Sequence, residues 1–350
     1  MRFRFGLVLI VIIFFGISTW SGADATTART GLPPGITQTL NAIGGGLRLK
    51  SVPSEIIPTL GSVTSFRGDT CMSSPGMPSE AKSCLFGDTQ SLITVVIYGD
   101  SFAEEWIPAL AALGKIHHFK VLAFGRYSCP FANVAVQPSG GVVDTGCATF
   151  RHNVVDAINA MSPSPALVLL SEETDLIAPH GSWGSISMSQ WTAGMQSTLR
   201  TLHETRFPIG VILGTPTEKI YPSQCLSIHL TNVQACSEPA KVAFAADAYS
   251  SQIQAAAQAN ASPLNVSYLF CKQTCPSIIY GDSVYQGYGH ITSSYVSYLT
   301  KSLGSVIGCS GMSDAQNTST KIVMHSLLPN RLSEVGQAQC HQMELLKTRF

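Results

Sequence analysis

The stretch that organises the chain is TVVIYGDSFAEEW, residues 94–106. Its first five residues are β-branched or aromatic and fit a strand that is buried on both faces. Gly99 ends that run, and apolar residues at helical spacing follow from Phe102. Ser101 therefore lies where a parallel strand ends and a helix begins, which is where open α/β sheets bind their ligands. Backbone N–H groups at such a helix start can face a developing oxyanion.

Strand and helix patterns alternate along the rest of the chain. Further strands are predicted at about 119–124, 166–170, 209–213 and 263–270, with helical patterns between them and a last helix at 295–303. This alternation predicts a mostly parallel sheet with helices on both faces, a three-layer α/β/α fold. Pro108 lies inside the first helical pattern and predicts a kink or a restart there. Thr292 is placed to N-cap the last helix.

Changes in composition and in hydrophobic periodicity divide the chain into four segments. They are a signal peptide or N-terminal membrane anchor at 1–25, a linker or irregular extension at 26–62, the α/β domain at 63–308, and a tail at 309–350. The first apolar core is about 16 residues long, short of the roughly 20 that span a bilayer, so cleavage is favoured over a retained anchor. Residues 63–90 are dense in turn signals and predict a loop.

The composition excludes several classes of partner. Only 12% of the 350 residues are charged, and 21 Lys and Arg balance 21 Asp and Glu. This balance gives no basic face for nucleic acid and no polybasic tract for anionic lipid. We therefore predict no nucleic-acid partner.

The export signal and ten cysteines predict a secreted, periplasmic or cell-envelope location.

Eight of the ten cysteines form close sequence pairs in loop-like surroundings. In an exported protein such pairs predict local disulfides. Each would raise the free energy of unfolding by roughly 3 kcal/mol. The predicted pairs are Cys71 with Cys84, Cys129 with Cys147, Cys225 with Cys236, and Cys271 with Cys275. There is no Cys-x2-Cys, and no histidine lies at ligand spacing from the last pair, so we predict no metal ion and no cofactor.

Ser101 needs a base in order to act as a nucleophile. Eight of the nine histidines lie in settings that suit surface or helix-capping roles. His290 differs, because it lies in the glycine-rich sequence VYQGYGHIT, residues 284–292, directly before the last helix. In a doubly wound sheet the loop after the last strand returns to the same edge as the loop after the first. Ser101 and His290 can therefore meet.

Taken together, these motifs resemble the SGNH (GDSL) hydrolase family, and most closely the SGNH domains fused to acyltransferase-3 membrane proteins. The matching stretches are Gly99-Asp100-Ser101-Phe102-Ala103 with Trp106, Tyr127-Ser128-Cys129-Pro130, Cys271 to Cys275 with Pro276, and residues 285–292. The likeness covers about residues 71–303. It implies the SGNH hydrolase fold, with a flavodoxin-like sheet of five strands.

The resemblance also implies roles for individual residues. Ser101 would be the nucleophile and His290 the general base, and the N–H groups of Ser101 and Ser128 would form the oxyanion hole. The residues expected in the substrate pocket are Asp100, Phe102 and Trp106.

The chain departs from the family pattern in three places. The family's acid lies three residues before the histidine, where this chain has Gly287. The alternatives are Asp282 as the acid, a Ser–His dyad, or a backbone carbonyl that holds the imidazole ring. The family's oxyanion asparagine is missing after the third strand, where Glu172, Glu173 and Asp175 could instead bind a sugar, supply the acid, or form a solvated loop. Phe102 replaces a frequent histidine.

The predicted function is extracytoplasmic ester chemistry on envelope carbohydrate. An acyl group, typically acetyl, would pass through an acyl-Ser101 intermediate to water or to a sugar hydroxyl. No second hydrophobic stretch approaches spanning length, so transfer is expected to need a separate membrane acyltransferase partner, and hydrolysis is slightly favoured. The alternative is a catalytically degenerate SGNH-fold protein that binds carbohydrate or acts as a scaffold, which Gly287 supports.

Overall fold

The structure is a computed structural model that describes residues 35–64, 72–73, 79–137, 141–174, 186–202, 207–217, 221–287 and 289–313, without the side chains of 309–313. The predicted signal or anchor at 1–25, Cys71, Asp175 and the tail beyond 313 lie outside these residues. Within them, no helix is both long enough and apolar enough to cross a membrane.

The helices and strands follow the predicted alternation. The α-helices are α1 Ile36–Gly46, α2 Ser101–Glu104, α3 Ile107–His117, α4 Thr145–Asn159, α5 Met188–Thr201, α6 Pro222–Ile228, α7 Ala240–Ala243, α8 Ala246–Gln258, α9 Ser293–Tyr298 and α10 Thr300–Ser313. The strands are β1 Ser83–Gly87, β2 Thr94–Gly99, β3 Lys120–Gly125, β4 Leu167–Ser171, β5 Ile209–Ile212, β6 Glu238–Pro239, β7 Ser262–Leu264, β8 Thr274–Cys275, β9 Ile278–Ile279, β10 Asp282–Ser283, β11 Tyr285–Gln286 and β12 His290–Ile291.

Six strands form the central sheet, in the order β1-β3-β2-β4-β5-β7. The last five of these pair in parallel, and their spatial order with respect to the chain is the flavodoxin-like one. The predicted fold is therefore confirmed. β1 adds an antiparallel strand at the edge beside β3, inside the segment that we predicted to be a loop. Its five residues are too few, and too mixed in burial, to give a strand pattern in the sequence.

The sheet is covered on both faces, as a three-layer fold requires. Val95 and Ile97 of β2 lie in one apolar core, with residues of α1, α3, α9 and α10. Val96 and Tyr98 lie in the other core, with residues of α4, α5 and α8. Side chains of a strand alternate between its faces, so one fully buried strand serves both layers.

Two boundaries differ from the prediction. α1 belongs to the domain rather than to a linker, because Ile43 is fully buried in the first core and Thr39 Oγ1 lies 2.9 Å from Ser302 Oγ of α10. Three glycines end α1, so its periodicity is weak, and packing against the domain stabilises it. The last helical pattern is two helices, and α10 continues to Ser313, past the predicted end of the domain at 308.

Local signals near the site are confirmed. α2 ends at Glu104, and α3 restarts with Pro108 in its first turn, where a missing N–H does no harm. Thr292 caps α9, with its side-chain oxygen 3.4 Å from the Tyr295 nitrogen. The chain therefore turns where the sequence predicted, on both sides of the carboxyl edge of the sheet.

Gly99, the last residue of β2, has no room for a side chain. A Cβ there would lie 1.8 Å from the carbonyl oxygen of Ser171, which belongs to the neighbouring strand β4. We expect Gly99→Ala to lower the free energy of unfolding by about 3 kcal/mol, measured by urea denaturation. Gly45→Ala is the control, since nothing lies within 4 Å of a Cβ added at Gly45 in α1. Equal stability of the two variants would contradict this prediction.

Candidate active site

The structure brings Ser101 and His290 together. Ser101 begins α2 at the carboxyl end of β2, and His290 lies on β12. The distance from His290 Nε2 to Ser101 Oγ is 2.8 Å. The imidazole packs on Phe102, with ring centroids 4.5 Å apart. When Nε2 is the acceptor, the serine hydroxyl donates its proton towards the imidazole, which is the geometry that activates a serine nucleophile.

A short hairpin carries the histidine. β11 pairs with β12 in an antiparallel arrangement, and Gln286 opposes His290. Gln286 Nε2 donates to the Ile291 carbonyl at 3.0 Å, and Thr292 Oγ1 donates to the Ser283 carbonyl at 2.6 Å. The turn of the hairpin includes Gly287, whose φ of 55° lies in the left-handed region that favours glycine. The hairpin and the cap of α9 therefore hold the histidine in place.

The protonation state of His290 suits a base. Burial lowers the pKa of His290 to about 4. Desolvation disfavours the charged form, so the imidazole is neutral near neutral pH and can accept a proton.

Asp282, a candidate acid, is 2% exposed on β10. Burial is the main cause that raises the pKa of Tyr295 and Tyr298, and the Asp282 carboxylate adds to it. Asp282 thus lies close to tyrosines of α9. Its role in orienting His290 stays a prediction.

Two residues expected in the substrate pocket are instead fully buried. Asp100 accepts the Phe102 N–H at Oδ1 and the Glu173 N–H at Oδ2, both at 2.9 Å. It therefore caps α2 and ties it to the segment after β4, and burial raises its pKa to about 7. Trp106 is also fully buried and packs edge-on against Phe270 in the core. Of the three predicted pocket residues, Phe102 is the one seen against His290.

Glu172 is neither solvated nor free to bind a sugar. It is fully buried, and its Oε2 accepts the Ala132 N–H at 2.9 Å. Burial raises the pKa of Glu172 well above its usual value. Arg151 acts on the same loop, since it donates to the carbonyls of Pro130 and Val134 at 3.4 and 2.6 Å. The loop that follows Ser128 is therefore tied to the domain through buried side chains.

Ser128 has an unusual backbone conformation. Its φ is 61°, a left-handed value that costs a residue with a Cβ about 1–2 kcal/mol. Strained residues of this kind concentrate at functional sites. Neither the Ser101 N–H nor the Ser128 N–H takes part in the backbone hydrogen bonds found among the described residues. Both remain candidates for the oxyanion hole.

Three of the predicted disulfides are confirmed. They join Cys129 to Cys147, Cys225 to Cys236, and Cys271 to Cys275. The first lies directly after Ser128 and links its loop to α4. The partner predicted for Cys84 is Cys71, which lies outside the described residues.

The sequence analysis missed Glu105. This residue is 4% exposed, and its Oε2 accepts the N–H of Ile291, the neighbour of His290, at 2.9 Å. Burial raises the pKa of Glu105 well above its usual value. One signal was available in the sequence: Glu105 lies one helical turn after Ser101, in a chain with few charges.

Comparison with known proteins finds a matching family model and similar solved structures. The family model described as "SGNH domain (fused to AT3 domains)" matches residues 70–303, more than half of the chain. No curated protein is similar enough to count as a match. One similar solved structure is the periplasmic domain of a lipopolysaccharide acetyltransferase from Salmonella ser. Paratyphi A, with 14% identity, a TM-score of 0.47, and coverage of 60% of this chain and 82% of that one.

A second is a carbohydrate esterase family 2 enzyme with a carbohydrate-binding domain from Corynascus thermopiles (Myceliophthora fergusii). It has 13% identity, a TM-score of 0.34, and coverage of 62% of this chain and 67% of that one. At these TM-scores neither structure bears on the function of this chain. The family match is independent of them and contains both Ser101 and His290, so the chain belongs to the family of SGNH domains that are found fused to AT3 domains.

Proposed function

We propose that this protein is a serine esterase or O-acyltransferase that acts on acyl esters of extracytoplasmic carbohydrate. The observation that carries the proposal is the 2.8 Å contact between Ser101 Oγ and His290 Nε2. Membership of the SGNH family supports ester chemistry. The disulfides support an oxidising compartment outside the cytoplasm.

The reaction has two halves with the same base. Ser101 Oγ attacks the ester carbonyl while His290 Nε2 takes the hydroxyl proton. When the tetrahedral intermediate collapses, the leaving alcohol receives that proton, and the acyl group remains on Ser101. Water or a sugar hydroxyl then attacks the acyl-serine, with His290 again taking the proton and returning it to Ser101 Oγ.

The N–H groups of Ser101 and Ser128 are proposed as donors to the oxyanion of both tetrahedral intermediates. Loss of one such donor typically costs about 10²–10³ in rate. The buried contacts of Glu172 and Arg151 support this role, because they fix the loop that carries Ser128. A preorganised donor gives more stabilisation than one that must be ordered during the reaction.

Hydrolysis and transfer differ in the second half alone. Water as the acceptor gives an esterase. A sugar hydroxyl gives a transferase, for which we propose a membrane acyltransferase partner as the source of acyl groups. The acetyl group is the acyl group that we propose, on the strength of the family resemblance.

The test is to trap the acyl-enzyme. The full-length protein is mixed with p-nitrophenyl acetate, quenched in acid, digested and mapped by mass spectrometry. We expect one acetyl group, on the peptide that contains Ser101. Faster release of this group with an added oligosaccharide, together with acetylated sugar, would identify transfer. Absence of both acetyl-Ser101 and turnover would overturn the proposal, and saccharide binding without turnover would then favour the degenerate binding protein.

A further inference from the structure

One carboxyl group joins the two elements that carry Ser101 and His290. Glu105 follows α2 directly, and its backbone N–H donates to the Ser101 carbonyl at 3.2 Å. Its side-chain Oε2 accepts the N–H of Ile291, the residue after His290, at 2.9 Å. The nucleophile and the carboxyl are therefore one helical turn apart, and the base and the N–H belong to consecutive residues of β12.

Two attachments restrict the histidine more than one would. The hairpin pairing and the cap of α9 fix β12 within its own segment, but they do not tie it to the element that carries Ser101. The Glu105–Ile291 bond adds a second point, of similar length, between the same two elements. Rotation or withdrawal of β12 must break this bond, and a buried N–H left without its acceptor is costly.

The carboxyl group itself is held firmly. Glu105 is 4% exposed, and Thr215, which is also buried and follows β5, donates to Glu105 Oε1 at 3.4 Å. Glu105 therefore contacts the segments after β2, β5 and β11 at one edge of the sheet. A side chain that is locked in this way can define the position of its partner.

Two other buried carboxyl groups serve different segments. Asp100 accepts N–H groups from Phe102 and Glu173, and Glu172 accepts one from Ala132. Glu105 instead reaches β12, the strand of His290, through the Ile291 N–H.

We propose that Glu105 is a positioning residue: by accepting the Ile291 N–H, it holds the His290 imidazole against Ser101 Oγ. The effect on rate rests on the proposed acyl-serine chemistry. The effect on the geometry of His290 does not.

The test compares two variants of Glu105 in the full-length protein. Glu105→Met fills a similar volume and removes the acceptor. Glu105→Gln keeps the shape and an acceptor oxygen, and it suits the site because burial favours the neutral form of Glu105. The control is Thr39→Val, which loses a buried hydrogen bond to Ser302 between α1 and α10. A fluorophosphonate probe reports the reactivity of Ser101, and NMR titration reports the pKa of His290.

We expect Glu105→Met to slow labelling by about 10²-fold, the usual effect of a misplacement of about 1 Å. We also expect the pKa of His290 to rise from about 4 towards its ordinary value, as the loosened strand admits water. Glu105→Gln should retain both properties of the wild type. Thr39→Val should lower the free energy of unfolding but retain the wild-type labelling rate and the wild-type pKa of His290.

A folded Glu105→Met with wild-type labelling and a wild-type pKa at His290 would overturn the proposal, as would a Gln variant as impaired as the Met variant. If Glu105→Met does not fold, Glu105→Asp replaces it, since its shorter side chain withdraws the acceptor, and the same outcomes apply. If the wild type is not labelled, the proposed function fails, and the NMR titration alone decides whether Glu105 positions His290.

Discussion

Ser101→Ala is expected to abolish both ester turnover and labelling by a fluorophosphonate probe. The variant lacks the oxygen that attacks the carbonyl, so no acyl-enzyme can form. Loss of a catalytic serine lowers kcat by on the order of 10⁴-fold or more, which leaves the rate that binding and the oxyanion hole provide. The measurement is the initial rate with p-nitrophenyl acetate, alongside the extent of probe labelling.

Ser251→Ala provides a matched control. Ser251 and Ser101 are each 7% exposed, but Ser251 lies on α8, against the other face of the sheet. This control should hydrolyse and label as the wild type does. Residual labelling of Ser101→Ala at the wild-type level would show that the probe reacts elsewhere, and Ser101 would then lose its assigned role.

The contact between Ser101 and His290 was predictable because it follows from strand order. A buried strand ends at Gly99, and a glycine-rich segment before the last helix returns to the same sheet edge. Topology places such segments together whatever their detailed packing. The sequence pattern was enough to identify the pair, although not its distance.

The roles of the buried carboxyl groups were not predictable in the same way. Asp100, Glu105 and Glu172 look in sequence like polar residues near an active site, and we expected Asp100 in the pocket and Glu172 in contact with a sugar or with solvent. Their hydrogen bonds run to backbone N–H groups 2, 73, 186 and 40 residues away. Main-chain N–H groups are the same in every non-proline residue, so the sequence does not reveal which of them a buried carboxyl group will meet.

The elements α1 and β1 were missed for a related reason. α1 ends in three glycines, and β1 has only five residues, so neither has a strong local pattern. Both are stabilised by what they pack against: α1 by the core beneath α3 and α10, and β1 by pairing along β3. Tertiary contacts of this kind override weak local propensity.

Three of the buried carboxyl groups lie under different parts of the site. Asp100 supports the start of α2, Glu172 the loop of Ser128, and Glu105 the strand of His290. Catalytic geometry depends on supporting contacts as much as on the reacting groups, because small displacements cost large factors in rate. We therefore regard the site as a reactive pair on a buried polar support.

His290→Ala is expected to lower kcat with p-nitrophenyl acetate by about 10⁴-fold, the upper range for loss of a general base. In the wild type, activity requires the neutral imidazole. Because burial lowers the pKa of His290 to about 4, the neutral form persists in mild acid. The rate should therefore stay high as the pH falls through 6.5, the ordinary pKa of histidine, and decline only near pH 4.

The pH profile and the variant test the same role by independent routes. In His290→Ala the decline near pH 4 should disappear together with most of the rate, since the titrating group is gone. His152→Ala is the control, because the His152 side chain is 74% exposed on α4 and should affect neither quantity. A variant that kept full activity would remove His290 as the base. A wild-type decline centred near pH 6.5 would instead mean that water reaches the imidazole during turnover, and that burial does not set its pKa in the working enzyme.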